Sequence, residues 1–443
     1  MSSVPLKTAG MDQELSAPPA PIRRPDLRTV AVRKPRAGRG TLLIFSQVYV
    51  PDPASVGQHI ADVAAEMARR GYRVRVYTAN RGYDDPTAKY PAREVIRGVD
   101  VRRLPLSSFG KKSLLTRGIG TASFMLQVIF RGLCTFNLSG VLFSTSPPLI
   151  GIAATVVRMF RLVPTAYWAM DLNPDQLIAL GRFSRRHPLV RFLESANRMI
   201  LKNATLIIAL DRFMAARLYQ RGKLQDKLAI IPPWPHETFV EPVSHDDNPF
   251  RAKHNLAGKF IIMYSGNHSP SNPLNTLLEA AKHYKDDPQL RFMFIGGGIG
   301  KKQIEQYIQA NNLTNCICLP YQPLADLRYS LSAADVHVVA LGDNMVGIIH
   351  PCKVYGAMAV GRPVLYFGPK PSHIADLLDQ HSFGLHVAHG DVQAAVSAIE
   401  KLRSTNPPAL ERMGRIAQNV LNHTLSQDLL CGRFCDGLEL ILR

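Results

Sequence analysis

Residues 41–46, Thr-Leu-Leu-Ile-Phe-Ser, decide the fold of the first half of this chain, and residues 259–264, Lys-Phe-Ile-Ile-Met-Tyr, repeat the pattern in the second half. Each is a short, largely apolar run that precedes a turn and then a helical pattern. Such runs, alternating with helices, are typical of parallel strands covered by helices. The sequence therefore predicts an α/β protein with two doubly wound, Rossmann-like domains.

The remaining elements follow the same rhythm in both halves. In the first half, further strands are predicted at Arg73–Thr78, Val141–Thr145, Thr165–Ala169, Leu206–Ala209 and Leu228–Ile231, and helices at Gly57–Arg70, Leu149–Phe160, Pro188–Leu201 and Asp211–Arg221. In the second half, strands are predicted at Leu290–Ile295, Cys316–Leu319, Val336–Ala340, Pro363–Phe367 and Gly384–Val387, and helices at Leu274–Tyr284, Lys301–Ala310, Leu324–Ala333, Pro351–Val360 and Val392–Leu402. Ligands of such folds bind beyond the carboxyl ends of the strands, so we expect a site in a cleft between the halves.

Proline and charge patterns suggest the domain limits. We predict a disordered basic arm at 1–39, an N-terminal Rossmann-like domain at 40–232, a proline-rich linker at 233–258, and a C-terminal Rossmann-like domain at 259–424. Residues 425–443 are predicted to form a helix that packs back on the first domain. The basic arm lacks the apolar run that a signal peptide needs, so it is not predicted to direct export.

Composition limits the function classes. With 443 residues and 46% hydrophobic residues, the chain is neither a disulfide miniprotein nor broadly disordered. The 53 Lys and Arg residues outnumber the 34 Asp and Glu residues, which leaves a net charge of +19 and predicts a polyanionic neighbour. Six cysteines without zinc-site spacing favour reduced thiols in the cytosol and no bound metal.

One uncharged stretch, Gly132 to Val157, is long enough to cross a bilayer. Pro147 and Pro148 interrupt it, and they would break a helix in mid-membrane. A buried strand, a proline turn and an apolar helix explain the same residues. Hydropathy alone does not separate a buried core helix from a membrane helix, so both interpretations stand at this point.

Several turns could hold a phosphorylated ligand. The segments Ser265-Gly266-Asn267-His268 and Gly296-Gly297-Gly298-Ile-Gly300 follow two C-terminal strands, where glycine lets main chain approach a nucleotide closely. Lys353 lies one turn into a predicted helix that starts at Pro351, so a diphosphate would meet its charge there. Plain structural turns would look similar, and a histidine such as His268 is often only a packed polar residue.

On the basis of these residues and the motifs around them, the chain resembles a family-four glycosyltransferase of the GT-B fold. The similarity is to the bacterial branch that builds capsule, O-antigen and other exopolysaccharides. It covers about residues 41 to 420 and consists of ordered motifs. They are the Phe45–His59 opening, Ser144-Thr-Ser-Pro-Pro148, Ala169-Met-Asp171-Leu-Asn-Pro174-Asp175, Tyr264-Ser-Gly-Asn-His268, Ala333-Ala-Asp-Val336 and Pro351-x-Lys353-x-Tyr355.

The resemblance implies an enzyme that transfers sugar from a nucleotide diphosphate sugar to an acceptor hydroxyl, with retention and without cofactor or protein-bound metal. It implies that Asp171 and Lys353 are catalytic, Asp171 by orienting the acceptor hydroxyl and Lys353 by stabilising the leaving diphosphate. The donor would contact Gly266, Asn267, His268, Gly297, Gly298, Ile348, Ile349 and Lys353, and the acceptor-side loop would include Ser55, Gly57 and His59. The chain departs from the family at Ile348 and Gly356, where many members have glutamates.

The positive charge then suggests an anionic membrane surface as a partner. Basic residues from Arg182 to Lys202 surround Phe183, Leu189, Val190 and Phe192, a mixture that suits the inner face of a cell membrane. A polyprenyl-diphosphate-linked acceptor would explain a cytoplasmic, peripheral location. Two alternatives remain: a nucleotide-sugar epimerase of the same architecture, and a non-enzymatic nucleic-acid-binding protein, although no nucleic-acid-binding motif is present.

Overall fold

The computed structural model describes residues 39–52, 54–82, 87–107, 114–236 and 241–442. The predicted arm, apart from Arg39, lies outside these residues. Within them, two largely parallel sheets with flanking helices follow one another along the chain, which confirms the prediction of two doubly wound α/β domains. We call the part built on the first sheet the N-lobe and the part built on the second sheet the C-lobe.

The N-lobe sheet has the strand order β3-β4-β2-β1-β5-β6-β7-β8 within the described residues. Its strands are β1 (Thr41–Phe45), β2 (Arg73–Ala79), β3 (Arg93–Ile96), β4 (Val99–Leu104), β5 (Leu138–Phe143), β6 (Thr165–Ala169), β7 (Leu206–Ala209) and β8 (Leu228–Ile230). Its helices are α1 (Ser55–Arg69), α2 (Leu114–Leu133), α3 (Ile150–Arg161), α4 (Asp175–Ala179), α5 (Pro188–Asn203) and α6 (Arg212–Tyr219). All strand pairs are parallel except β3 with β4.

The C-lobe sheet is parallel throughout, with the order β11-β10-β9-β12-β13-β14 in the described chain. Its strands are β9 (Phe260–Ser265), β10 (Leu290–Ile295), β11 (Cys316–Leu319), β12 (Val336–Ala340), β13 (Val364–Phe367) and β14 (Gly384–Val387). Its helices are α7 (Pro249–Lys253), α8 (Asn275–His283), α9 (Lys301–Ala310), α10 (Leu327–Ser332), α11 (Lys353–Ala359), α12 (His373–His381), α13 (Val392–Ser404) and α14 (Pro407–His423). A last helix, α15 (Gln427–Ile441), follows.

Burial explains why these runs become central strands. Leu42, Leu43, Ile44 and Phe45 of β1 are fully buried, because helices cover both faces of the sheet. Burial of each such side chain contributes on the order of 1.5–3 kcal/mol. The apolar residues of β9 are buried in the same way, which is why the two sequence runs look alike.

The β3–β4 hairpin is absent from the predicted elements. Its turn is Arg97-Gly98, and both residues have positive φ, 49° and 80°, as a two-residue hairpin turn requires. The flanking strands contain alternating charged residues, and Asp100 pairs with Arg75 and Arg93 on the neighbouring strands. Ion pairs along the sheet edge thus replace the apolar run that identified the other strands.

The lobes are joined by more than the linker. Helix α14 packs on α11 and α12 of the C-lobe, and α15 returns to pack on α1 and β7 of the N-lobe. The linker residue Trp234 is fully buried beside Trp168 and Phe434 of α15. One hydrophobic core therefore includes side chains of both lobes, of the linker and of the last helix.

The uncharged stretch at 132–157 contains the end of α2, strand β5 and most of α3. This agrees with the interpretation as a buried strand, a proline turn and an apolar helix. Helix α3 has 12 residues. None of the helices in the described parts of the chain combines the length and apolar character that a membrane span needs.

Candidate functional site

The carboxyl ends of both sheets meet at the junction of the lobes. Leu172, just after β6, donates its main-chain N–H to the carbonyl of Ile348, which follows β12, at 3.0 Å. Arg217 of α6 donates to the carbonyl of Val346 at 2.6 Å. The C-lobe loop after β12 is therefore held directly against the N-lobe, at the edge where doubly wound folds bind their ligands.

Two glycine turns of the C-lobe touch at this edge. Gly266 follows β9 and Gly296 follows β10, with φ of 133° and 128°, values that L side chains rarely adopt. A Cβ on Gly296 would lie 2.1 Å from the carbonyl oxygen of Gly266, and a Cβ on Gly266 would lie 2.7 Å from Cε of Lys353. The absence of side chains lets the two turns and the Lys353 side chain pack together.

Lys353, the first residue of α11, is a cation without a balancing carboxylate. Its ammonium lies 5.4 Å from the centre of the Tyr264 ring, and no described residue forms an ion pair with it. When the Asn272 amide is oriented to donate to the carbonyl of Ala340, its oxygen accepts from Nζ of Lys353 at 3.3 Å. Burial lowers the pKa of Lys353 to about 8, because the charged form has lost water. The site therefore favours an anion beside this ammonium.

His268 lies next to the same turns. Its main-chain N–H donates to the carbonyl of Gly297 at 2.7 Å, and its Nδ1 lies 3.2 Å from that oxygen. The side chain is buried, its pKa is lowered by that burial, and its Nε2 has no partner among the described residues. An unpaired buried nitrogen is costly, so a ligand group that bonds Nε2 would relieve that cost.

The other predicted donor residues lie in two places. Asn267 and Gly298 are exposed in the touching turns, and Gly297 is covered by the ring of Tyr321, whose Cε2 lies 3.0 Å from where a Cβ would be. Ile348 is 2% exposed, and its side chain belongs to the shared core. Ile348 can thus reach a ligand only through its main chain, unlike the glutamate common at that position. Ile349 is half-buried beside it.

Asp171, directly after β6, lies on the N-lobe side of the junction. Its carboxylate has no hydrogen bond or ion pair with any described residue, and burial raises its pKa to about 6. Asp171 lines a pocket between β5, β6, α3 and α5. An unpaired carboxylate at this depth needs donors, which a ligand with hydroxyl groups supplies.

Two residues of the predicted acceptor-side loop, Gly57 and His59, are buried. His59 is 2% exposed, with Nε2 at 2.8 Å from the carbonyl of Trp234 and Nδ1 at 2.8 Å from that of Ser55. A Cβ on Gly57 would lie 3.1 Å from the main chain of Tyr49. The nitrogens of His59 thus hold the linker and the start of α1, and its place in an acceptor-side loop stays a prediction. Ser55 is exposed at that start.

One interlobe group was missed by sequence reasoning. Asp211 caps the start of α6 with one carboxylate oxygen and lies 3.2 Å from Nδ1 of His350 with the other. Nε2 of His350 is 2.9 Å from the hydroxyl of Tyr355. Burial alone would raise the pKa of Asp211, but the hydrogen bond from His350 holds it below its ordinary value. An aspartate before a helix predicts only a helix cap, so this contact between the lobes could not be identified from the sequence.

No group of three or more His, Cys, Asp or Glu residues is arranged to hold a metal ion in the described ranges. Among the described residues, the polar features at the junction are instead an ammonium without a carboxylate partner, a carboxylate without a partner, and close main-chain turns. Such a set suits an anionic ligand on the C-lobe side and a ligand with hydroxyl groups on the N-lobe side.

Comparison with known proteins agrees with this arrangement. Residues 55–234 match the family described as "Glycosyl transferase 4-like domain", and residues 246–420 match "Glycosyl transferases group 1". The chain is 24% identical over 397 residues to the probable glycosyltransferase WbjE of Pseudomonas aeruginosa, covering 89% of this chain and 96% of WbjE.

Two further proteins are similar over nearly their whole lengths. The putative colanic acid biosynthesis glycosyl transferase WcaI of Escherichia coli is 22% identical over 410 residues, covering 90% of this chain and 99% of WcaI. The crystal structure of Anabaena HepE in complex with UDP-glucose superposes with a TM-score of 0.66 at 15% identity, covering 90% of this chain and 100% of HepE. The fold of HepE is thus the fold of this chain.

Proposed function

Because this chain belongs to the group 1 glycosyl transferases, with the GT-B fold, we propose that it moves a sugar from a nucleotide diphosphate sugar to an acceptor hydroxyl in the synthesis of a cell-surface polysaccharide. The observation that carries the proposal is the ammonium of Lys353, which has no carboxylate partner among the described residues. A diphosphate is the ligand that would supply the missing negative charge.

Two relatives support the choice of substrates. HepE was crystallised with UDP-glucose, a nucleotide diphosphate sugar. WcaI is named for the biosynthesis of colanic acid, a polysaccharide. By analogy, we propose that this chain uses a nucleotide sugar as donor and a growing saccharide as acceptor.

The chemistry assigns a role to each side of the junction. The bond between the anomeric carbon and the diphosphate breaks, and Lys353 with the main-chain N–H groups of the glycine turns stabilises the charge that leaves. Asp171 accepts a hydrogen bond from the acceptor hydroxyl and orients its oxygen toward the anomeric carbon. The hydroxyl proton leaves on a diphosphate oxygen, and the anomeric configuration is retained, as in the family that the sequence resembles.

Product analysis tests this function. The protein is incubated with a panel of nucleotide sugars, with and without an acceptor fraction obtained by lipid extraction. The products are separated by chromatography. Release of nucleoside diphosphate that depends on acceptor is the expected result. Conversion of one nucleotide sugar into another without acceptor would instead indicate an epimerase and overturn the proposal.

The affinity of the protein for UDP is expected to fall as the pH rises through about 8. The pKa of Lys353 is lowered to about 8 by burial, so its ammonium is mostly charged at pH 7 and mostly neutral at pH 9. One group with that pKa gives about a tenfold loss of affinity across the interval. Isothermal titration calorimetry of UDP at the two pH values measures it, with Lys353→Ala as the control that flattens the profile. An equally steep profile in that variant would contradict the assignment.

The acceptor is proposed to be lipid-linked, because one face of the N-lobe combines exposed apolar residues with positive charge. Helices α2, α3 and α5 lie side by side on that face. Phe130, Phe160 and Phe192 are 67%, 74% and 58% exposed there. The three helices contain one carboxylate, Glu194, against several arginines and one lysine. Such a surface suits contact with anionic lipid at the inner face of a cell membrane.

Vesicle flotation tests the membrane contact. The protein is expected to float with vesicles that contain phosphatidylglycerol and to float less at high salt or with phosphatidylcholine alone. The double substitution Phe160→Ser with Phe192→Ser should reduce binding at least about tenfold, because each phenylalanine loses on the order of 1.5–3 kcal/mol of apolar burial. The matched control is Leu324→Ser, which changes an exposed C-lobe residue. Equal flotation of parent and double variant would count against this face.

A further inference from the structure

Three buried side chains form a bridge across the junction of the lobes. Asp211, at the start of α6 in the N-lobe, lies 3.2 Å from Nδ1 of His350 in the C-lobe, and Nε2 of His350 lies 2.9 Å from the hydroxyl of Tyr355 in α11. We call these three residues the interlobe bridge. The side chain of His350 is 1% exposed and both of its nitrogens are engaged, so it reaches no ligand directly.

The hydrogen bonds of the bridge have a defined direction. One carboxylate oxygen of Asp211 accepts from the main-chain N–H groups of Phe213 and Met214 at 3.0 and 2.8 Å, which fixes the carboxylate. Although burial raises the pKa of a carboxyl group, the hydrogen bond from His350 holds that of Asp211 below its ordinary value. An ionised carboxylate only accepts hydrogen bonds, so Nδ1 of His350 is the donor. The charge of Asp211 therefore sets the orientation of the imidazole ring.

His350 and Tyr355 enclose the start of α11, which carries Lys353. The carbonyl of His350 accepts from the main-chain N–H of Cys352 at 3.0 Å, and the N–H of Tyr355 donates to the carbonyl of Cys352 at 3.1 Å. Tyr355 is 1% exposed, so core packing fixes its ring as well. A shift of the imidazole would therefore move this turn, and Lys353 would move with it.

Lys353 has little room for displacement. Its side chain packs on the turn of Gly266, where a Cβ would lie 2.7 Å from Cε of the lysine. Misplacement of a catalytic group by about 1 Å can lower a rate about 10²-fold, even when the cause lies far from the chemistry. Contacts that hold the start of α11 in place therefore affect what Lys353 can do.

The N-lobe end of the bridge is closely packed on the C-lobe. Gly347 has a φ of 68°, and a Cβ there would lie 2.6 Å from both the carbonyl carbon and the carbonyl oxygen of Phe213. The ring centre of His373 lies 4.5 Å from that of His350. Burial lowers the pKa of His373 to about 3, so this neighbour is neutral. Within the described residues, Asp211 thus supplies the charged hydrogen-bond partner of His350.

We infer that Asp211 of the N-lobe is a positioning residue, which acts through the imidazole of His350 to hold Lys353 in place. The diphosphate side of the site is then completed by a residue of the other lobe. The inference rests on the proposed function, because that function supplies the diphosphate that Lys353 binds.

Calorimetry of UDP binding tests the inference with Asp211→Asn in two backgrounds, the parent and Lys353→Ala. Asparagine caps a helix about as well as aspartate and has the same shape, but it lacks the charge that orients His350. In the parent background, UDP affinity is expected to fall about tenfold, as for the loss of one hydrogen bond to a charged group. In the Lys353→Ala background it should change by less than about twofold, because the group that is positioned is gone. Equal losses in both backgrounds would show a merely structural role and overturn the inference.

The matched control is Asp376→Asn. Asp376 of α12 accepts from Arg212 of α6 at 2.6 and 2.9 Å, so this ion pair also joins the lobes at α6, but it contains no member of the interlobe bridge. UDP affinity of this variant should stay within about twofold of the parent, because the pair is partly exposed and screened by solvent.

A second variant guards against misfolding of the first. Tyr355→Phe removes one hydroxyl group at the C-lobe end of the bridge and keeps the buried ring. It should also lower UDP affinity in the parent background and not in Lys353→Ala. Parent-like affinity in both Asp211→Asn and Tyr355→Phe would overturn the inference. Parent-like affinity in Lys353→Ala alone would instead overturn the proposed function, because the diphosphate would then bind elsewhere.

Discussion

Replacing Lys353 by alanine is expected to weaken UDP binding and to lower the transfer rate about 100- to 1000-fold. The ammonium is the cation that packs on the turn of Gly266, and it has no carboxylate partner in the described chain. Loss of one preorganised group that stabilises developing charge typically costs a factor of about 10² to 10³ in rate. Calorimetry gives the affinity, and acceptor-dependent release of nucleoside diphosphate gives the rate.

The control for this substitution is Lys302→Ala, which removes an exposed lysine of the same lobe. It should leave UDP affinity within about twofold of the parent, because an exposed charge is screened by solvent. Lys353→Met should be no less stable than the parent, since burial of the ammonium is itself unfavourable. Parent-like affinity in Lys353→Ala would show that the diphosphate binds elsewhere.

Replacing Trp234 by alanine is expected to destabilise the fold by about 3–5 kcal/mol, the range for truncating a buried aromatic side chain. Trp234 is fully buried, and its indole N–H donates to Asp62 at 3.0 Å. His59, Trp168 and Phe434 surround the ring. The substitution leaves a cavity where the linker, the N-lobe and α15 meet.

Urea unfolding measures the loss, with Trp168 as the remaining tryptophan for fluorescence. Trp234→Phe is the graded control: it keeps most of the apolar volume, loses the hydrogen bond to Asp62, and should cost less than the alanine variant. A change below about 1 kcal/mol in Trp234→Ala would mean that the linker contributes little to the shared core.

The sequence predicts the buried central strands of the fold well, and it predicts the edge hairpin and several helices less well. Strands such as β10 and β12 are buried on both faces, and their apolar runs have the predicted bounds because no other environment suits them. The β3–β4 hairpin and the helices α2, α4, α7, α12 and α14 were not predicted. The hairpin is stabilised by charge pairs across strands, and such pairs depend on neighbours distant in the sequence.

In the candidate site, too, local features could be predicted from the sequence, and contacts between the lobes could not. Glycine turns after strands and a lysine at a helix start can be identified from local sequence, and the structure brings Gly266 and Lys353, which are 87 positions apart, into contact. The interlobe pair of Asp211 and His350, the burial of Ile348 and the engagement of His59 by the linker depend on how the lobes dock. Periodicity and spacing carry no information on that docking.

The return of α15 to the N-lobe affects how the chain can mature on the ribosome. Helix α15 ends at Ile441 and covers α1 and β7, elements made hundreds of residues earlier. That apolar surface of the N-lobe therefore stays uncovered until α15 has been synthesised. A premature stop after α14 would leave both sheets encoded but expose the product to chaperones and proteases, so deletion of α15 should reduce yield far more than its length suggests.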